Sequence, residues 1–134
     1  MLRVLVDADN VATSRVQPVL DLLAELAVAP WMTASGRQQA LDAVDWPSHA
    51  ELLAHSGWQR ADSALAEAYT PSADPLILVS GDGDFALLAA RHPGAVLVVS
   101  GAPSTRLREA AMVVDPAVDG LQPIRRWLAT HGLA

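Results

Sequence analysis

The chain has 134 residues, nine basic against fifteen acidic, for a formal charge of −6. That length makes about one domain with a real core, and 51% hydrophobic content excludes a disordered chain. The acidic balance argues against a protein that coats DNA through a broad basic face, and no apolar run approaches the ~20 residues of a membrane helix. There is no cysteine, hence no disulfide framework and no thiolate metal site, and every basic residue is arginine. The opening Met-Leu-Arg-Val-Leu-Val-Asp meets charge too early for a secretory signal, so a cytoplasmic protein is expected.

In chain order, Leu2–Val6 is a short apolar run, expected as a buried strand ending at Asp7. Val16, Val19, Leu20, Leu23 and Leu26 have helical spacing, with Pro18 expected in the first turn where its missing N–H costs little. Leu26–Met32 is read as a second strand, its ends blurred by Pro30. Arg37–Val44 and Ser48–His55 read as short helices separated by Asp45-Trp46-Pro47. Ser48 with Glu51 fits a capping box, and Gly57 fits a helix C-terminal cap. Trp58–Arg60 is a brief third strand on this reading, and Asp62–Tyr69 a helix. After the Pro71–Pro75 loop, Leu76–Ser80 is a strand apolar on both faces. Asp84–Arg91 reads as a helix, Ala95–Ser100 as a strand, Ser104–Ala111 as a helix, Met112–Val114 as a last strand and Leu121–His131 as a closing helix. No repeat or linker divides the chain, so residues 1–134 are expected to form a single domain. Apolar strands alternating with helices imply an α/β fold of three layers, a mostly parallel sheet covered on both faces.

Ligands of such sheets bind outside the carboxyl ends of the strands. "VDADN" (6–10) leaves the first strand there and "SGDGDF" (80–85) leaves a later one. Singly, these acids could be helix caps. Capping needs one acid per helix end, however, and Asp82 and Asp84 share one turn. Crowded carboxylates repel unless a cation neutralises them, and oxygen-only ligands suit Mg²⁺ or Mn²⁺. A divalent ion there could activate water against a phosphodiester.

With "VLVDADNV" near the start, "RAD" before a mid-chain helix and "LVSGDGDFALLA" after a buried strand, the chain resembles the NYN domain, a branch of the PIN-like nucleases. The resemblance covers essentially the whole sequence. It implies a PIN-like parallel sheet with the first strand beside the Leu76–Ser80 strand, and a metal-dependent ribonuclease activity using Mg²⁺ or Mn²⁺. It further implies an acidic cluster of Asp7, Asp62, Asp82 and Asp84, with Asn10 orienting a carboxylate or the substrate, Ser80 matching the serine before the paired acids, and Asn10, Ser80 and Arg60 expected at the substrate. Many relatives carry another aspartate where this chain has Ala68, with Glu67 beside it, so a second metal is less well supplied. Arg15, Arg37, Arg60, Arg106 and Arg108 are the expected phosphate contacts.

Two other readings use the same residues. Asp7-Ala-Asp9-Asn10-Val11 fits the start of haloacid-dehalogenase phosphatases, with Asp7 as nucleophile and Asp9 as general acid, although the lysine such enzymes need is absent. Alternatively the domain is a catalytically inactive RNA-binding or assembly module. Trp31, Trp46, Trp58 and Trp127 would then stack on bases or form a homodimer contact, against the plainer expectation that they pack in the core. No histidine arrangement suggests a site: His49 and His55 are badly spaced, and His92 and His131 stand alone.

Overall fold

The computed structural model describes residues 1–56 and 61–134, and of 61 and 62 only the backbone. The strands β1 (Arg3–Asp7), β2 (Trp31–Gly36), β3 (Glu51–Ala54), β4 (Leu76–Val79), β5 (Val96–Val99) and β6 (Met112–Val114) run parallel in one sheet, ordered β3-β2-β1-β4-β5-β6. The connections carry α1 (Thr13–Leu23), α2 (Gln38–Asp42), α3 (Ala61–Ala68), α4 (Ala86–Arg91), α5 (Thr105–Ala110), α6 (Pro116–Asp119) and α7 (Gln122–Thr130). From β1 the chain builds outward to one edge, then restarts at β4 and builds to the other. The reversal between β1 and β4 opens a crevice at their carboxyl ends.

Strand side chains alternate between faces, and here both faces are apolar. Val4, Val6, Ile77, Val79, Leu97 and Val99 pack with Val16, Val19, Leu20 and Leu23 of α1 and Ile124, Trp127 and Leu128 of α7. Leu5, Leu76, Leu78 and Val98 point the other way, onto Leu65 of α3, Phe85, Ala89 of α4 and Leu107 of α5. Each fully buried side chain of this kind contributes about 1.5–3 kcal/mol. The result is the expected three-layer α/β architecture, with the sheet held firmly behind its carboxyl edge.

Several elements differ from expectation. The first helix begins at Thr13, so Pro18 lies in its second turn, where the Ser14 carbonyl loses its helical donor. The second strand is Trp31–Gly36 rather than Leu26–Met32. Glu51–Ala54, expected inside a helix, is the edge strand β3, paired with β2 from Thr33↔Glu51 to Gly36↔Ala54. The short α6 was not anticipated; Asp115 caps it by accepting from the Ala117 N–H, and Pro116 stands in its first turn. The expected strand Trp58–Arg60 and the cap at Gly57 lie outside the described residues. Among the described residues, no helix is long and apolar enough to cross a membrane.

Candidate active site at the carboxyl edge

The register sets Val6 beside Val79 and Asp7 beside Ser35. One step further along β4, Ser80 comes beside Asp7, and both are fully buried at 0% exposure. The Ser80 hydroxyl donates to Asp7 Oδ2 at 3.0 Å. The Asn10 side-chain amide donates to the same oxygen, and the Asn10 N–H closes the turn onto the Asp7 carbonyl at 3.2 Å. Asp7 is therefore held on a fixed heading by the strand behind it and the turn after it.

The same serine reaches the second acidic turn. Its Oγ accepts from the Asp82 N–H at 3.1 Å, and Asp82 Oδ1 accepts from the Asp84 N–H at 2.9 Å, capping a 3₁₀ turn over Gly83–Phe85. Asp7, Ser80, Asp82 and Asp84 thus form one hydrogen-bonded string, running from the buried acid through half-buried Asp82 to exposed Asp84. Glycine is required at position 81, where a Cβ would meet the Ala102 carbonyl oxygen and Ser100 Oγ at 2.7 Å. Ser80, expected at the substrate, is too deeply buried to touch one; it positions the acids.

Helix α3 packs across β1 and β2. Because the chain runs from α3 into the amino end of β4, the first turn of α3 lies at the carboxyl edge, and the backbone of residue 62 with it. Ser63 and Ala66 of α3 share a small pocket with Asp84, Phe85 and Leu88. The Asp62 carboxylate and Arg60 fall outside the described atoms, as does Trp58. Among the described residues, no three acidic or imidazole groups are grouped closely enough to hold a metal on their own. In kind, the donors at this edge fit a hard divalent cation, since Asp7, Asp82 and Asp84 offer only oxygen.

The arginines separate into two sets. Arg15, an expected phosphate contact, instead makes a two-pronged ion pair with Asp115 at 2.9 and 3.2 Å. The hydrogen bond and charge of Asp115 push the Arg15 guanidinium up, and the Arg15 hydrogen bond holds the Asp115 carboxyl below its ordinary range. Arg37, Arg106 and Arg108 are exposed and have no acidic partner among the described residues. Arg37 follows β2 directly, with its N–H on Asp9 Oδ1 at 3.0 Å. Arg106 lies in the first turn of α5, whose cap Ser104 donates its N–H to the Gly81 carbonyl at 3.0 Å. Each of these two is thus carried on a segment bonded to one of the acidic turns.

Tryptophan does not line this edge among the described residues. Trp127 is core, and Trp46 is half-buried with its indole N–H on the Leu41 carbonyl at 2.8 Å. Trp31, 63% exposed, begins β2 at the opposite end of the sheet with the Arg3 guanidinium 5.6 Å from its ring centre. That end also holds a polar network the histidine spacing did not reveal. The Tyr69 hydroxyl meets His92 Nδ1 at 2.8 Å, His92 Nε2 meets the Asp74 carbonyl at 2.6 Å, and Arg3 pairs with Asp74 at 3.1 Å. Since a carbonyl only accepts, His92 carries its proton on Nε2 and receives the tyrosine hydroxyl on Nδ1. Burial pushes the Tyr69 hydroxyl up, while Arg3 and the chain amino group hold the Asp74 carboxyl down.

No protein-family model matches the chain, and no curated protein matches it significantly.

Proposed function

We propose that the chain is a divalent-metal-dependent ribonuclease of the NYN kind, cutting single-stranded RNA at the crevice between β1 and β4. The observation that carries this reading is the Asp7–Ser80–Asp82 string, which fixes two acidic turns together where an open parallel sheet binds ligands. Asp7, Asp82 and Asp84, with Asp62 by the resemblance, would hold Mg²⁺ or Mn²⁺. A bound ion of this type supplies a more acidic water and neutralises charge developing at the phosphodiester. Ser80 and Asn10 fix the Asp7 carboxylate, so no reorganisation is needed when substrate arrives. Arg37 and Arg106 flank the crevice on either side and suit phosphates of one strand crossing the sheet edge. A cytoplasmic setting goes with this reading.

The phosphatase alternative is disfavoured because Asp9, its general acid, is engaged by Arg37 and His55. Thermal melting tests the site itself. Millimolar Mn²⁺ should raise the wild-type midpoint by several degrees, since a ligand at a hundred times its Kd adds about 2.7 kcal/mol. No shift for wild type, or an equal shift for Asp82→Asn, would count against a metal centre at this edge.

A further inference from the structure

Asp9 stands two residues beyond Asp7, yet its carboxylate does not join the Asp7–Ser80–Asp82 string. Its Oδ1 accepts the Arg37 N–H at 3.0 Å, and its Oδ2 lies 3.0 Å from Nε2 of His55. It does not cap α1, whose N-cap is Ala12 with no side-chain cap. Its partner comes from the far edge of the sheet. His55 directly follows β3, is bonded through its N–H to the Gly36 carbonyl at 3.1 Å, and keeps only 4% of its side chain exposed. His55 Nδ1 lies 2.7 Å from the Ser56 carbonyl, so that nitrogen carries a hydrogen. The other ring nitrogen, Nε2, is thereby turned toward the Asp9 carboxylate, so that His55 is fixed between the Ser56 carbonyl and the turn after β1. The contact is a close approach of imidazole and carboxylate rather than an aligned hydrogen bond.

The surrounding backbone is tightly fitted to this pair. Ala8 donates its N–H to the Ser35 carbonyl at 2.8 Å. A Cβ at Gly36 would sit 3.0 Å from Ala8 Cβ and 3.2 Å from Asp9 Oδ1, so glycine is what lets the turn approach β2.

We infer that Asp9 and His55 are a positioning pair, locking the turn after β1 to the ends of β2 and β3 and so holding Asp7 and Asn10 in working geometry. Neither residue touches the substrate. The consequence for metal affinity rests on the ribonuclease reading, whereas the locking of the turn does not.

A double-mutant cycle tests the pair. Asp9→Asn keeps an acceptor for the Arg37 N–H but loses the carboxylate charge, and His55→Gln removes the imidazole while keeping bulk. Each is expected to weaken Mn²⁺ binding about 3–10-fold by calorimetric titration, somewhat less than loss of a direct partner of a ligand. The double variant should lose no more than either single one, because both changes break the same pair. His49→Gln, altering a histidine bonded to the Pro30 carbonyl at 2.9 Å at the amino end of the sheet, should leave Mn²⁺ affinity unchanged. Wild-type Mn²⁺ affinity in both Asp9→Asn and His55→Gln, or losses that multiply in the double variant, would overturn the inference. Should the wild type itself bind no Mn²⁺, the metal reading fails and amide exchange decides the pair. His55→Gln should speed exchange of the Arg37 N–H by roughly 10-fold as Asp9 is released, and an unchanged rate would overturn it.

Discussion

Ser80→Ala removes a single oxygen from a fully buried position and breaks two hydrogen bonds at once. The bond to the Asp7 carboxylate, a charged acceptor, is worth about 1.5–3 kcal/mol, and the bond from the Asp82 N–H about 0.5–1.5 kcal/mol. The lost volume is only that of a hydroxyl, so the expected destabilisation is roughly 2–4 kcal/mol from the hydrogen bonds alone. The fold supplies its own control one strand away. Ser100 follows β5 as Ser80 follows β4, is 3% exposed, and accepts from the Ala102 N–H at 3.1 Å, but among the described residues its hydroxyl donates to no carboxylate. Ser100→Ala should therefore cost only about 0.5–1.5 kcal/mol. Urea unfolding of both variants gives the comparison, with an unchanged m-value as the sign that only native stability has moved. Equal losses at the two serines would refute the argument that Ser80 is tied to a buried carboxylate.

Other expectations follow from the same geometry. The Asp115 carboxyl is held below its ordinary value of 3.8 first by the Arg15 hydrogen bond, so its contribution is present above that value and is lost as pH falls through the lower folded one. Asp115→Asn should thus be less stable than wild type near neutrality and converge with it on acidification; a gap that stays constant in pH-dependent unfolding would contradict this. At Gly94 an added Cβ would meet the backbone carbonyl oxygens of Asp74 and Ala73 at 2.4 and 2.6 Å. Gly94→Ala should cost about 1–3 kcal/mol in urea unfolding, while RNA cleavage per folded molecule stays at the wild-type level. Arg106→Ala should weaken RNA binding and reduce the salt slope of the binding constant by about 0.7, measured by fluorescence anisotropy, with little effect on turnover at saturating RNA.

The strands β4 and β5 were legible because nothing polar interrupts them. Leu76–Val79 and Val96–Val99 are apolar on both sides, which only a sheet covered twice requires. The other half of the sheet hides its pattern. In β2, Ala34 is buried in the core and Ser35 and Gly36 lie against the turn after β1, so small residues stand where large ones would have signalled a strand. In β3, Glu51, Leu52 and Ala54 are exposed at an edge, and its Leu-Leu pair after a Ser-x-x-Glu capping pattern resembles a helix start. The acids of the candidate site were legible from spacing, since Asp7 and Asp82 each leave a recognisable strand. The pairs that brace the site were not. Asp9 meets His55 through the misassigned β3, and Arg15 meets Asp115 only once β6 has been laid beside β5.

Cleavage of a mixed single-stranded RNA pool by wild type and by Asp82→Asn, each with and without Mn²⁺, tests the central claim most directly. Asparagine can still accept the Asp84 N–H that Asp82 Oδ1 receives at 2.9 Å, so the variant should fold and cap its turn as before. The account predicts cleavage by wild type only when Mn²⁺ or Mg²⁺ is present, and a fall on the order of 10²-fold or more in the variant, the scale of losing a principal electrostatic stabiliser. Undiminished metal-dependent cleavage by carefully purified Asp82→Asn, or no cleavage by wild type with either metal, would contradict it.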